Sequence, residues 1–285
     1  MNFPELPFQP GELPEKVARF ATIAGSMGSP DMLKLAFSCI DLTTLNSTDT
    51  VSGVAAFTQK VNAFGQQFPG AGNVAAICVY PNMASVVREN LAVDSVGVAA
   101  VAGGFPSSMT FLSLKEEEAR LAVVHGADEI DIVLPLWAFL EENYEYCMTE
   151  VRAIKNTVGD AHLKVILESG ALKDPELIWK ASLLSLEAGA DFIKTSTGKM
   201  PVAATPEAAI IMSYALKYWY DKTGERRGFK PAGGIVSTAD AMLYCAIVGD
   251  ILGEEWMNNK LFRIGASRLA NNLLTDINGK ETSYF

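Results

Sequence analysis

Short apolar runs alternate along the chain with longer stretches of helical period. Eight runs read as strands: 33–42 (LKLAFSCIDL), 74–80 (VAAICVY), 96–103 (VGVAAVAG), 129–135 (EIDIVLP), 162–169 (HLKVILES), 192–197 (FIKTST), 228–234 (GFKPAGG) and 262–267 (FRIGAS). The segments between them carry helix start and stop signals. Ser113 with Glu116 predicts a capping box, closed at the other end by Gly126. Asp174–Pro175 opens a helix that Gly189 ends, and Thr205–Pro206 opens one that Gly224 ends. Eight strands alternating with helices predict an α/β fold, a (β/α)8 barrel, with a doubly wound open sheet as the alternative. ELPEKVARFATIAG (12–25) predicts an extra helix inside an N-terminal extension, residues 1–30, placed to close the barrel bottom. Residues 277–285 form a C-terminal tail, and with no linker or repeat the expectation is one domain over 1–285.

Strand side chains alternate between faces. In EIDIVLP, Ile130, Ile132 and Leu134 share the face suited to packing under helices, which turns Asp131 the other way with Glu129 and Val133. In FIKTST, Lys194 shares a face with Phe192 and Ser196. By the same parity Lys164 and Lys230 point inward, so a barrel collects three lysines and an aspartate near its axis. Two plain explanations compete: an ion-pair network that only fills the barrel, or lysines that snorkel outward. Three cations facing one anion do not neutralise one another, however. Desolvation and neighbouring positive charge both lower a lysine pKa, and a neutral amine can form a Schiff base with a carbonyl. The pattern favours covalent amine catalysis.

Three glycine-bearing strand ends follow: STGK (196–199), PAGG (231–234) and IGAS (264–267). Glycines let backbone N–H groups approach an anion, and the last strands of phosphate-binding barrels place such loops at the C-terminal face. Lys199 adds a point charge. The formal net charge of −10 argues against nucleic acid and anionic membrane surfaces as partners, so an anionic substrate has to be held by local groups against the overall field. The four cysteines, Cys39, Cys78, Cys147 and Cys245, lie far apart and read as reduced and buried. The two histidines, His125 and His162, have no metal-ligand spacing, so no metal and no cofactor is expected. With no basic, apolar leader and no run long enough to span a bilayer, a cytoplasmic protein is expected.

DLTTLN (41–46), AICVYP (76–81), ADEIDIVLP (127–135), LKVILESG (163–170), AGADFIKTSTGK (188–199), GFKPAGG (228–234) and GAS (265–267) together resemble the deoxyribose-phosphate aldolases. The likeness runs from about residue 40 to the end of the chain. It implies a metal-independent class I aldolase on a (β/α)8 barrel that reversibly cleaves 2-deoxy-D-ribose 5-phosphate to acetaldehyde and D-glyceraldehyde 3-phosphate, a step of deoxyribonucleoside catabolism. Matched residue by residue, it implies Lys194 as the Schiff-base lysine, Lys230 as the lysine that tunes it and relays protons, and Asp131 as the acid/base residue. Gly198, Lys199, Gly233, Gly234, Gly265 and Ser267 fall in the phosphate loops, and Asp41, Thr43, Cys78, Lys164 and Thr197 match other substrate-binding positions. A homo-oligomer, by default a dimer, goes with such barrels.

The chain departs from the family pattern in three places. AVAGGFPSS (100–108) replaces a Thr-Asn-Phe-Pro type sequence, Arg268 stands where a second serine is frequent, and the tail ends Tyr284–Phe285, with the tyrosine penultimate. Tyr284 is expected to reach the active site with a shifted register. Two other functions fit parts of the pattern: another Schiff-base lyase (transaldolase-like or keto-acid aldolase) and a non-catalytic phosphosugar-binding barrel.

Overall fold

The computed structural model describes residues 3–285. Two helices precede the barrel, α1 (Leu13–Ala24) and α2 (Pro30–Ser38). Then follow β1 (Ile40–Thr43), α3 (Val51–Gln67), β2 (Ala76–Val79), α4 (Ala84–Asn90), β3 (Gly97–Val101), α5 (Leu112–Val124), β4 (Glu129–Val133), and the short α6 (Leu136–Leu140) with α7 (Tyr144–Val158). The second half runs β5 (His162–Ile166), the single turn α8 (Ser169–Leu172) with α9 (Pro175–Glu187), β6 (Phe192–Lys194), α10 (Pro206–Thr223), β7 (Gly228–Lys230), α11 (Thr238–Ile251), β8 (Ile264–Ala266) and α12 (Arg268–Asn278).

All eight strands are parallel, in the order β7-β6-β5-β4-β3-β2-β1-β8. Parallel bridges Phe229–Phe262 and Ala232–Gly265 join β7 to β8 and close the ring, giving the (β/α)8 barrel. The register aligns Asp131 with Lys164 and Lys194 with Lys230. Adjacent strands therefore deliver charged side chains at matching heights. Outward residues such as Ile130, Ile132 and Leu134 join the large core under the helices. The inner face of β1–β3 carries a separate small apolar cluster, Leu45, Ala76, Cys78, Ala99 and Val101, flanked by Tyr80 and Phe105.

Caps expected for α9 and α10 form as read: Asp174 accepts from Glu176 N, and Thr205 accepts from Ala208 N. Four expectations are corrected. The first strand was placed too early, because Ser29 caps Met32 N, Pro30 opens α2, and Leu33, Ala36 and Phe37 bury one helical face; the strand proper starts at Ile40. The Ser113 capping box does not form, since the Phe111 carbonyl already accepts from Leu114 N and Lys115 N and Ser113 lies within the first turn. The N-terminal helix does not close the barrel bottom: α1 packs chiefly on α11 and α10 of the outer ring, where Arg19 pairs with Asp250 at 2.6 Å. Residues 277 and 278 belong to α12, so the tail begins at Gly279.

Candidate active site

The barrel axis holds more charge than parity on four strands suggested. Asp41, Glu129 and Asp131 are buried there with Lys164, Lys194, Lys230 and Arg263. Lys194 Nζ donates to Asp131 Oδ2 at 2.7 Å, and Lys230 Nζ donates to the same oxygen at 2.7 Å. Lys230 also lies 2.5 Å from Asp41. Lys164 sits within 3.2 Å of Asp41, 2.5 Å of Glu129 and 3.1 Å of Asp131. Arg263 closes the network from β8's edge, pairing with Asp41 at 2.7 Å and with Glu129 at 2.7 Å. Arg263 lies inside the expected run 262–267 at the parity of Gly265 and Ser267, an inward position not read from the sequence, and Glu129 was seen only as sharing Asp131's face.

Four bases thus face three carboxylates in a space closed to water. A buried net charge is costly, and the set becomes neutral when one base gives up its proton. Lys194 is the base placed to do so, for it touches one carboxylate whereas Lys230 touches two and Lys164 three. A guanidinium does not deprotonate. The protonation energetics agree. Burial, with the Lys230 ammonium beside it, lowers the Lys194 pKa below its ordinary value despite Asp131. Burial pulls the same way on Lys230 and Lys164, but Asp131 and Asp41 outweigh it and raise both. Against its own burial, Asp131 is held well below the usual carboxylate range by Lys164, Lys194 and Lys230. Asp41 is likewise lowered to about 2, the lysines and Arg263 overcoming desolvation.

Above this floor, a cavity of about 370 Å³ opens at the C-terminal ends of the strands. Thr43, Lys194, Thr197, Gly198, Lys199, Gly233, Gly234, Gly265 and Ser267 line it, as does Arg268. Its charged lining is Lys194, Lys199 and Arg268, with no carboxylate, in a protein of net charge −10. Gly233 and Gly265 are steric requirements. A Cβ on Gly233, whose φ is +86°, would lie 2.7 Å from Ala203 Cβ and 3.0 Å from Gly198 Cα. The loops after β6 and β7 therefore touch backbone to backbone. Lys199 reaches across the mouth, its Nζ donating to the Leu45 carbonyl at 2.5 Å.

Other expected substrate contacts are placed differently. Asp41, Lys164 and Cys78 are fully buried below or beside the cavity, not on its wall. The carboxylates that Lys164 must satisfy hold it in the floor, and burial pushes the Cys78 thiol up. Tyr284 does not reach the site. Its hydroxyl donates to the Lys60 carbonyl at 2.7 Å, and its ring packs edge-on to Phe64 and Phe68 of the α3 region. Asn271 clamps the tail there, accepting from the N–H groups of Tyr284 and Phe285 and donating to the Phe285 carbonyl. The unusual 100–108 loop is firmly tied: Gly104 N donates to Glu118, and the buried Lys115 donates to Ser108 at 2.7 Å and pairs with Glu150 at 2.6 Å.

A lysine of lowered pKa at the base of a cationic cavity suits a carbonyl substrate bearing an anionic group. Comparison with known proteins meets this chemistry: the sequence model for the DeoC/LacD family aldolases matches residues 35–251. The chain belongs to the DeoC/LacD aldolase family. Like that family it is an aldolase, a carbon–carbon lyase. A Caenorhabditis elegans protein is 42% identical over 94% of this chain and 88% of its own length. A Bos taurus relative named deoxyribose-phosphate aldolase is also 42% identical, over 82% of this chain and 77% of its own. Among solved structures, a tetrameric deoxyribose phosphate aldolase from Aeropyrum pernix superposes with a TM-score of 0.68 at 25% identity, covering 92% of this chain and 97% of that one. The 29 residues that follow α11 and end at Lys280 lie outside the matched family region yet supply Gly265, Ser267 and Arg268 to the cavity.

Proposed function

We propose that this aldolase cleaves 2-deoxy-D-ribose 5-phosphate to acetaldehyde and D-glyceraldehyde 3-phosphate through a Schiff base on Lys194, with Lys230 and Asp131 completing the catalytic set. The observation that carries the reading is the buried charge balance, which leaves Lys194 as the base most easily freed of its proton. Its position on the wall of a cavity that has three cations and no carboxylate supports a phosphorylated substrate.

The neutral Lys194 amine adds to the C1 aldehyde, and loss of water gives an iminium that withdraws electrons from C2. A base takes the C3 hydroxyl proton as the C2–C3 bond breaks, and the electron pair of that bond passes into the enamine. Asp131, or a water held by Asp131 and Lys230, takes that part. Glyceraldehyde 3-phosphate departs, the enamine is protonated at C2, and hydrolysis of the resulting iminium frees acetaldehyde and Lys194. Gly198, Lys199, Gly233, Gly234, Gly265, Ser267 and Arg268 hold the phosphate, and Thr43 and Thr197 flank the sugar chain. Asp41 and Lys164 act from below by fixing the protonation of Lys230 and Asp131. We further assign the enzyme to the cytoplasm as a homo-oligomer. Four free, buried cysteines and the tetramer formed by the Aeropyrum pernix relative support this.

Borohydride reduction with acetaldehyde, followed by peptide mapping, tests the assignment. Label is expected on Lys194 in the native enzyme. Lys194→Arg is expected to lose both label and turnover, because a guanidinium stays protonated. Label on another lysine would move the nucleophile. Fructose 6-phosphate and 2-keto-3-deoxy acids, given as alternative substrates, separate this activity from other Schiff-base lyases.

A further inference from the structure

Glu168 stands out among the buried acids because it belongs to no charge network. It follows β5, is 3% exposed, and its carboxylate meets only Thr197 among the described residues. Thr197 Oγ1 donates to Oε2 at 2.6 Å and Thr197 N donates to Oε1 at 3.2 Å. Thr197 Oγ1 in turn accepts from Lys199 N at 3.0 Å. The Glu168 backbone is left-handed, with φ 50° and ψ 54°, a conformation that side chains other than Gly and Asn rarely adopt. Its carbonyl is fixed by Ala171 N at 2.8 Å, and the next N–H, of Ser169, donates to the Thr195 carbonyl at 2.9 Å.

Two unfavourable features therefore coincide in one residue: a buried carboxylate with no cation beside it, and a strained backbone. Such features persist where surrounding structure over-determines them, and they gather at functional sites. Here everything the side chain holds belongs to the loop 197–199. With both oxygens accepting, Glu168 forces the Thr197 hydroxyl to be a donor toward it. The hydroxyl's lone pairs then remain for Lys199 N, which fixes the turn through Gly198, itself at φ +74°. A carboxylate near an anion site opposes anion binding through space, so electrostatic attraction does not account for its presence. Order does.

The geometry points to Glu168 as a positioning residue that pre-forms the Thr197–Gly198–Lys199 turn as an anion-binding loop, and so sets the preference for phosphorylated over unphosphorylated substrate. This rests on the phosphate reading given under Proposed function. Glu168 does not touch the reacting atoms; it acts through Thr197.

The test compares KM and kcat for 2-deoxyribose 5-phosphate and for 2-deoxyribose in Glu168→Gln, Thr197→Val and Thr197→Ser. Glu168→Gln keeps shape but replaces one acceptor oxygen by a donor amide. It is expected to raise KM for the phosphorylated sugar about tenfold, the scale of one lost charge-assisted hydrogen bond, with kcat within about twofold. KM for 2-deoxyribose should stay within about twofold, so the ratio of its KM to that of the phosphorylated sugar falls by about tenfold. Thr197→Val, which also loses a contact to the sugar chain common to both substrates, should show the same fall in that ratio, and Thr197→Ser, which restores the hydroxyl, should regain most of it. Equal losses on both sugars, or kcat falling with KM unmoved, would show a purely structural role and overturn the proposal, as would a Glu168→Gln enzyme with native constants. If Glu168→Gln does not fold, the Thr197 pair decides alone. A native enzyme with no preference for the phosphorylated sugar would instead refute the phosphate reading, and this inference with it.

Discussion

Replacing Lys230 by methionine probes the charge balance directly. The change keeps the side-chain volume close and removes one buried cation, so three bases then face three carboxylates. Neutrality now requires Lys194 to stay protonated. Lys194 Nζ and Lys230 Nζ each lie 2.7 Å from one Asp131 oxygen, which puts them at most about 5.4 Å apart. At an effective dielectric of about 20, two unit charges at that distance repel by about 3 kcal/mol, or roughly a hundredfold in the Lys194 deprotonation equilibrium. Lys230 lowers the Lys194 pKa, so its loss raises it, and the population of free amine at neutral pH falls. The expected result is a loss of about a hundredfold in cleavage at neutral pH that is progressively recovered as pH rises, with the acid limb of the pH–rate profile displaced to higher pH. The assay is the rate of borohydride-trapped acetaldehyde adduct against pH, read beside turnover. A Lys230→Met enzyme whose trapping limb stays at the native pH, with loss uniform across the profile, would refute the electrostatic argument and leave Lys230 a proton-transfer role alone.

Arg268→Ala removes one of the three cavity cations and should raise KM for the phosphorylated substrate several-fold, about 1 kcal/mol, while kcat holds; the salt dependence of KM should flatten in parallel. Gly233→Ala forces a side chain into φ +86° and to 2.7 Å from Ala203 Cβ. A cost of about 1–3 kcal/mol follows, seen as a lowered melting temperature together with a raised KM. The floor carboxylates set an acid limit to stability. Asp41 titrates at about 2 in the folded protein, against about 4 for an unfolded carboxyl, so its contribution is complete above pH 4 and is lost as pH falls toward 2. Asp131 and Glu129, also lowered, act in the same direction. Chemical denaturation midpoints measured from pH 6 down to pH 3 should decline, and Glu129→Gln should weaken that decline.

Much of this was legible in one dimension because a strand has period two. Parity alone put Asp131, Lys164, Lys194 and Lys230 on the inner face, and the ladders Asp131–Lys164 and Lys194–Lys230 hold them level. Parity has no information about height along the barrel axis, however. Lys164 and Lys194 share a face class yet serve different places, one beneath the reacting centre and one on its wall. Arg263 lies in the expected run 262–267 at the inward parity of Gly265 and Ser267, but a glycine-bearing run reads first as an anion loop and its charge was passed over. Glu168 stayed hidden for a different reason: a left-handed residue after a strand obeys neither strand nor helix periodicity. The tail was misread because a terminal aromatic has two good fates, and the Phe64, Phe68 and Phe285 rings with the Asn271 clamp offer it the drier one.

The two halves of the barrel interior explain how one lysine can be both buried and able to take the nucleophilic role proposed for it. Strands β2 and β3 present small apolar side chains, Ala76, Cys78, Ala99 and Val101, which keep the dielectric low. Strands β4–β7 bring most of the charges, joined by Asp41 of β1 and by Arg263 just before β8. If the apolar half were polar, water would screen the Lys194–Lys230 repulsion and the amine would return toward its ordinary protonation. If the charged half lacked Arg263, Asp41 and Glu129 would draw harder on Lys164 and Lys230, and Asp131 would be freer to hold a proton on Lys194. Arg263 therefore belongs to the chemistry although its guanidinium lies at the far end of the barrel: by satisfying two carboxylates with a charge that cannot titrate, it leaves Lys194 as the site where the excess proton is lost.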